Sequence, residues 1–100
     1  MSEATVTLRK LSEVMPVISK FYGIVIGMFV VRAFPARFHA IYGESELVVA
    51  ISPLRIVEGH APQRVCDMVL EWAAQHQREL IEAWNRLTRM EAPLRIAPLQ

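Results

Sequence analysis

Two hydrophobic periods divide the chain. From Val17 onward, apolar residues come in short runs rich in β-branched and aromatic side chains, a composition that favours strands. Val17 to Tyr22 and Ile24 to Phe34 make the first such region, with Gly23 marking a turn, Gly27 a bulge or bend, and Pro35 a break. Phe38 to Tyr42 reads as the next strand. Gly43-Glu44-Ser45 is a turn signal of the hairpin kind, and Glu46 to Ser52 follows with Leu47, Val49 and Ile51 on one face. Pro53 ends that strand, and Leu54 to Val57 is a candidate for a short fourth before Gly59.

Beyond Pro62 the period changes. Val65, Val69, Trp72, His76, Leu80, Ala83 and Leu87 recur at helical spacing, while Arg64, Asp67, Glu71, Gln75, Arg78, Glu82, Arg86 and Arg89 form the opposite face. The pattern predicts one long amphipathic helix from about Pro62 to about Met90. Pro62 suits its first turn, where a missing N–H costs nothing, and Glu82 and Arg86 form a favourable i,i+4 pair. Leu94-Arg95-Ile96 then returns as an edge strand or a docked tail. The predicted fold class is α+β: a small antiparallel sheet of three or four strands packed against one long amphipathic C-terminal helix. Residues 1–14 lack a firm period and read as an N-terminal extension, with residues 15–100 as a single domain.

Composition narrows the class. At 100 residues and 53% apolar, the chain has room for one domain and enough apolar side chains for a core. Eleven basic against ten acidic residues leave a formal charge of +1, which is not the balance of a nucleic-acid binder held by bulk charge. The single cysteine, Cys66, excludes an internal disulfide and fits a reducing compartment, so the expected location is the cytoplasm. The apolar run Phe21 to Val31 is about half of what a membrane span needs, and Lys20 interrupts the apolar region before it. Neither a membrane span nor a signal peptide is expected.

Three stretches carry a family resemblance. Met15-Pro16-Val17-Ile18-Ser19-Lys20-Phe21-Tyr22-Gly23-Ile24-Val25-Ile26, Phe38-His39-Ala40-Ile41-Tyr42-Gly43 and Leu70-Glu71-Trp72-Ala73-Ala74-Gln75-His76-Gln77-Arg78-Glu79-Leu80, continued by Trp84, resemble the small bacterial proteins of the domain of unknown function 4160 family. The likeness runs over nearly all of residues 15–100. It implies a short α+β domain. Because members are often encoded beside another small protein, it also implies a toxin–antitoxin-like pairing with a cognate small partner. The family pattern resembles Pro-Pro-His-Phe-His, with two histidines on one strand face. Here Pro35-Ala36-Arg37-Phe38-His39 stands in its place, so a two-histidine metal clamp is broken, and an anion or phosphate site using Arg37 and His39 together is compatible.

The residues themselves single out the same stretch. His39 is the leading candidate for general acid or base, with Arg37 beside it on the same strand face as the second catalytic candidate. Arg32, Arg37 and Tyr42 are the candidate RNA- or anion-binding set, with Arg55 able to join Arg32 and Arg37 at one end of the sheet. The competing reading of His39 is a structural histidine at a sheet edge. His76 falls on the apolar stripe and reads as a core histidine satisfied by a backbone carbonyl, and His60 as a solvated loop residue. Trp72 and Trp84 read as core, Cys66 as a small buried hydrophobe, and Glu44 and Glu46 as solvated acids flanking the turn. Arg86, Arg89 and Arg95 form a second basic patch near the helix C-terminus. Three histidines without zinc spacing call for no metal, and no phosphate loop or triad order calls for a cofactor.

Two functions follow as expectations. One is a toxin–antitoxin-like component acting on or binding RNA, as a candidate metal-independent ribonuclease. The other is a non-catalytic protein–protein interaction or oligomerisation module, with a cognate small protein or a second copy as partner.

Overall fold

The computed structural model describes residues 15–100. The N-terminal extension read from the sequence, residues 1–14, lies outside the described residues. Five strands form one antiparallel meander in chain order: β1 Val17–Phe21, β2 Ile24–Gly27, β3 Arg37–Tyr42, β4 Ser45–Ile51 and β5 Leu54–His60. Two helices follow, α1 Gln63–Gln75 and α2 Gln77–Thr88.

The turns are set by local chemistry. Tyr42 and Ser45 are register partners closed by Gly43-Glu44, and Gly43 takes φ +58°, a left-handed position that glycine occupies without steric cost. At the same end of the sheet, a Cβ added at Gly59 of β5 would stand 1.9 Å from the Glu46 carbonyl oxygen, at φ +94°. Only glycine lets β5 approach β4 there.

Strand alternation sends Phe38 and Ala40 to one face and Arg37, His39 and Ile41 to the other. The first face is the core. Phe38 meets Trp72 edge-on with ring centroids 5.8 Å apart, and Phe21 lies 5.4 Å from the same indole. Val65, Val69, Ala73, Leu80 and Ala83 complete the helical side, so the predicted stripe is the buried one.

Two expectations are corrected. The sheet has five strands rather than three or four, because the first apolar region folds at Tyr22-Gly23 into two strands, β1 and β2; the second of these also leaves the sheet after Gly27, and residues 28–36 cross to β3 outside the strand ladders. The single long helix is two. The ladder breaks at His76, whose N–H reaches only three residues back to Ala73 O (3.1 Å) with φ −126°, and the Gln77 side chain donates to the Ile51 carbonyl of β4 (2.7 Å). The apolar stripe continues across the break, which is why the sequence period shows one helix.

The tail after α2 docks rather than forming a strand. Ile96 N–H donates to Ile18 O (2.8 Å) on the open side of β1, and Trp72 Nε1–H donates to Ala97 O (2.8 Å). Arg86 donates to Ala92 O at 2.8 Å, with Glu91 3.9 Å away.

Candidate functional site

The outer face of the sheet, opposite the helices, is a grid set by register. His39 stands between Gly27 of β2 and Val48 of β4, and Val48 stands beside Glu58 of β5. One row along, Ile41 faces Glu46, and Glu46 faces His60. At the other end, Ala50 separates Arg37 from Arg55. A bulge between Val48 and Val49 shifts β5 and brings Glu58 to this face.

Residues 28–36 fold over part of this grid. The Phe29 ring stacks on His39 with centroids 4.6 Å apart and planes 19° from parallel. The Arg37 guanidinium lies 4.4 Å from the Phe34 ring centroid, within cation–π range. Phe29, Val31 and Phe34 with Arg37, His39, Glu46, Val48 and Glu58 enclose a depression of about 230 Å³.

Within it, His39 Nδ1 lies 2.8 Å from Glu46 Oε2. A carboxylate only accepts, so Nδ1 carries the hydrogen, and in the neutral ring Nε2 is the basic nitrogen. The His39 side chain is 9% exposed and that of Glu46 23% exposed, so the bond is largely screened from bulk water. Arg37, with its side chain 13% exposed, lies 3.7 Å from Glu58, whose side chain is 69% exposed. Arg37 Nε also donates to Pro35 O (3.4 Å). With His39 neutral, one cation and two carboxylates leave the depression with a net charge of −1.

The structure brings Arg37 and His39 together, and leaves Arg32 and Tyr42 elsewhere. Arg32 is exposed beyond the depression, in a separate apolar groove that residues 30–34 form with α2. Tyr42 is on the core face, where its hydroxyl accepts a 2.7 Å hydrogen bond from Arg64. Arg55 shares the row of Arg37, across Ala50. His76 touches Trp72 and pairs with Glu79 Oε1 (2.6 Å) instead of a backbone carbonyl, and the sheet stands between it and His39. Arg86 and Arg95 line one cavity of about 290 Å³ with Arg78, while Arg89 pairs with Glu91. Among the described residues, no group of three or more His, Cys, Asp or Glu side chains is placed to hold a metal ion.

Glu46 is the site residue that sequence reasoning missed. Its position two residues past the turn makes it look solvated. The signal lay in the hairpin register, which sets Glu46 diagonal to His39 on one face. Phe29 and Phe34 were also missed, because both looked like strand positions.

Comparison with family models decides the relationship. The model described as domain of unknown function (DUF4160) matches residues 23–85. The chain belongs to the DUF4160 family. No curated protein and no solved structure matches the chain. Every residue that lines the depression falls inside the DUF4160 segment, whereas β1, the end of α2 and the docked tail lie outside it. Among the described residues, no helix is long and apolar enough to cross a membrane.

Proposed function

We propose that this DUF4160 protein acts on or binds RNA as one component of a toxin–antitoxin-like pair, with His39 as the acid–base group and Arg37 as the phosphate contact. The observation that carries this reading is the 2.8 Å bond from His39 Nδ1 to Glu46. A carboxylate that fixes the tautomer and orientation of an imidazole prepares its far nitrogen for proton transfer.

The chemistry that fits is metal-independent strand cleavage. Nε2 of His39 takes the proton of a ribose 2′-hydroxyl as the O2′–P bond forms. The P–O5′ bond breaks, and the imidazolium returns the proton to the departing 5′ oxygen. The products are a 2′,3′-cyclic phosphate and a 5′-hydroxyl. Arg37 stands beside His39 on the strand and would offset the charge that grows on the phosphoryl oxygens. Glu58, mostly exposed, must swing from Arg37 when a phosphate arrives. Among the described residues, Arg37 is the one arginine or lysine lining the depression, so a single phosphate contact is expected and the salt dependence of binding should be shallow, with a slope of about −1.

Induced expression of the wild type and of His39→Ala, with growth and cellular RNA followed in parallel, tests this reading. Arrest with RNA breakage that disappears in the variant is the expected result. Equal arrest with both proteins overturns the role of His39.

The large exposed apolar side chains Tyr22, Phe34, Met90 and Leu94 favour a second reading, the non-catalytic interaction module. Sedimentation of the purified chain separates the two: a strict monomer at all concentrations removes self-association from that reading.

A further inference from the structure

Phe34 and Val31 each line two separate hollows: the depression over His39 and Arg37, and a larger groove of about 620 Å³ formed with Trp84, Leu87, Thr88 and Met90. We propose that residues 28–36 are a two-position lid on the His39 site, in which Phe34 leaves the Arg37 guanidinium for the apolar groove along α2 when the site opens. The proposal rests on the reading of this depression as the place where His39 works, and it adds how access to it is controlled.

The covering is real in the closed position. Phe29 lies flat on the imidazole and Phe34 on the guanidinium, and the His39 side chain is 9% exposed. Both rings stand over the groups that a substrate phosphate would approach.

The segment is built so that it can move. Its ends are pinned: Met28 N–H donates to Pro16 O (3.2 Å), and Ile51 N–H donates to Ala36 O (3.2 Å). Met28 is fully buried. Among the described residues, the one backbone–backbone hydrogen bond of residues 29–35 is internal, Phe34 N–H to Val31 O (3.0 Å). Between the pins, the polar ties to the sheet are the stack on His39 and the contacts of Arg37 with the Phe34 ring and the Pro35 carbonyl. Side-chain contacts of this kind break far more readily than a strand ladder.

The groove supplies the second position. It is walled by Leu87, Trp84 and the almost fully exposed Met90, and Phe34 already stands on its rim, half exposed. A phenyl ring that leaves Arg37 therefore exchanges a cation–π contact for an apolar one instead of entering water. A lid requires two packed positions, and the groove offers the second.

Diethyl pyrocarbonate, which carbethoxylates an accessible imidazole nitrogen, tests this on the full chain. Sites are assigned by peptide mass spectrometry, with the exposed His60 as internal reference. His39 of the wild type is expected to react far more slowly than His60. Phe34→Ala and Phe29→Ala each raise the His39 rate, by roughly three-fold or more, from the strength of the contacts removed. Thr88→Trp fills the groove without touching His39 and lowers the His39 rate by roughly two-fold or more, since it removes the open position. A His39 rate that does not change on Phe34→Ala, or that ignores Thr88→Trp while His60 reacts normally, overturns the lid. RNA plays no part in this readout, so a failed lid leaves the RNA reading standing, and these rates in a protein inert toward RNA leave the lid standing.

Discussion

His39 donates its Nδ1 hydrogen to Glu46 across a hairpin in which the two are not register partners: His39 faces Val48, and Glu46 faces Ile41. The bond is diagonal, spanning one row of the sheet. It needs the two-residue turn at Gly43-Glu44, because a one-residue change in register would turn Glu46 to the core face.

Removing the acceptor tests that bond. Glu46→Ala is expected to cost about 1.5–3 kcal/mol in urea unfolding, the range for a hydrogen bond to a charged group. Nitrogen NMR of His39 should show the hydrogen on Nδ1 in the wild type and a mixture of tautomers in the variant. An unchanged tautomer would mean that Glu46 does not orient the ring.

Gly59 bears on the same residue from the other side. In Gly59→Ala the new methyl meets the Glu46 carbonyl, which is backbone and cannot swing away, and the left-handed φ is strained as well. A loss of roughly 2 kcal/mol or more is expected in urea unfolding. Gly43→Ala, where nothing lies within 4 Å of the added Cβ, should cost less. Equal losses at the two sites would contradict the close approach of β5 to β4.

The Arg89–Glu91 pair is expected to matter little. The hydrogen bond from Arg89 holds the Glu91 carboxyl below the usual carboxylate range. A lowered folded-state value adds stability above the unfolded value, and that contribution disappears as pH falls through the folded one. Both groups are solvent-exposed, so screening takes most of it. Glu91→Gln should leave the melting temperature at pH 7 unchanged and the acid limb nearly so. A clear drop at pH 7 alone would show that the pair anchors the end of α2.

Much of the fold was open to reading from residue order. The helical stripe from Val65 to Leu87 is the buried one, and the alternation around Phe38 puts Arg37 and His39 on one face. Residues 28–36 were not readable, because Phe29, Val30 and Val31 have strand propensity and nothing local says that they leave the sheet. That error also misplaced Arg32, which an extended strand would have put near Arg37. The break at His76 was invisible because a hydrophobic period survives a change of helix axis. Tyr42 is a candidate for stacking on a base, and strand parity alone places it with Phe38 on the face opposite His39.

Whether an oriented His39 moves a proton in RNA cleavage is decided by incubating a short oligoribonucleotide with purified protein in the presence of a chelator, comparing the wild type, His39→Ala and Glu46→Gln. The wild type is expected to leave 2′,3′-cyclic phosphate ends, with a fall of about 10²–10⁴-fold for His39→Ala and a smaller fall for Glu46→Gln. Cleavage that His39→Ala leaves intact, or no cleavage by well-folded wild type, would contradict that role of His39.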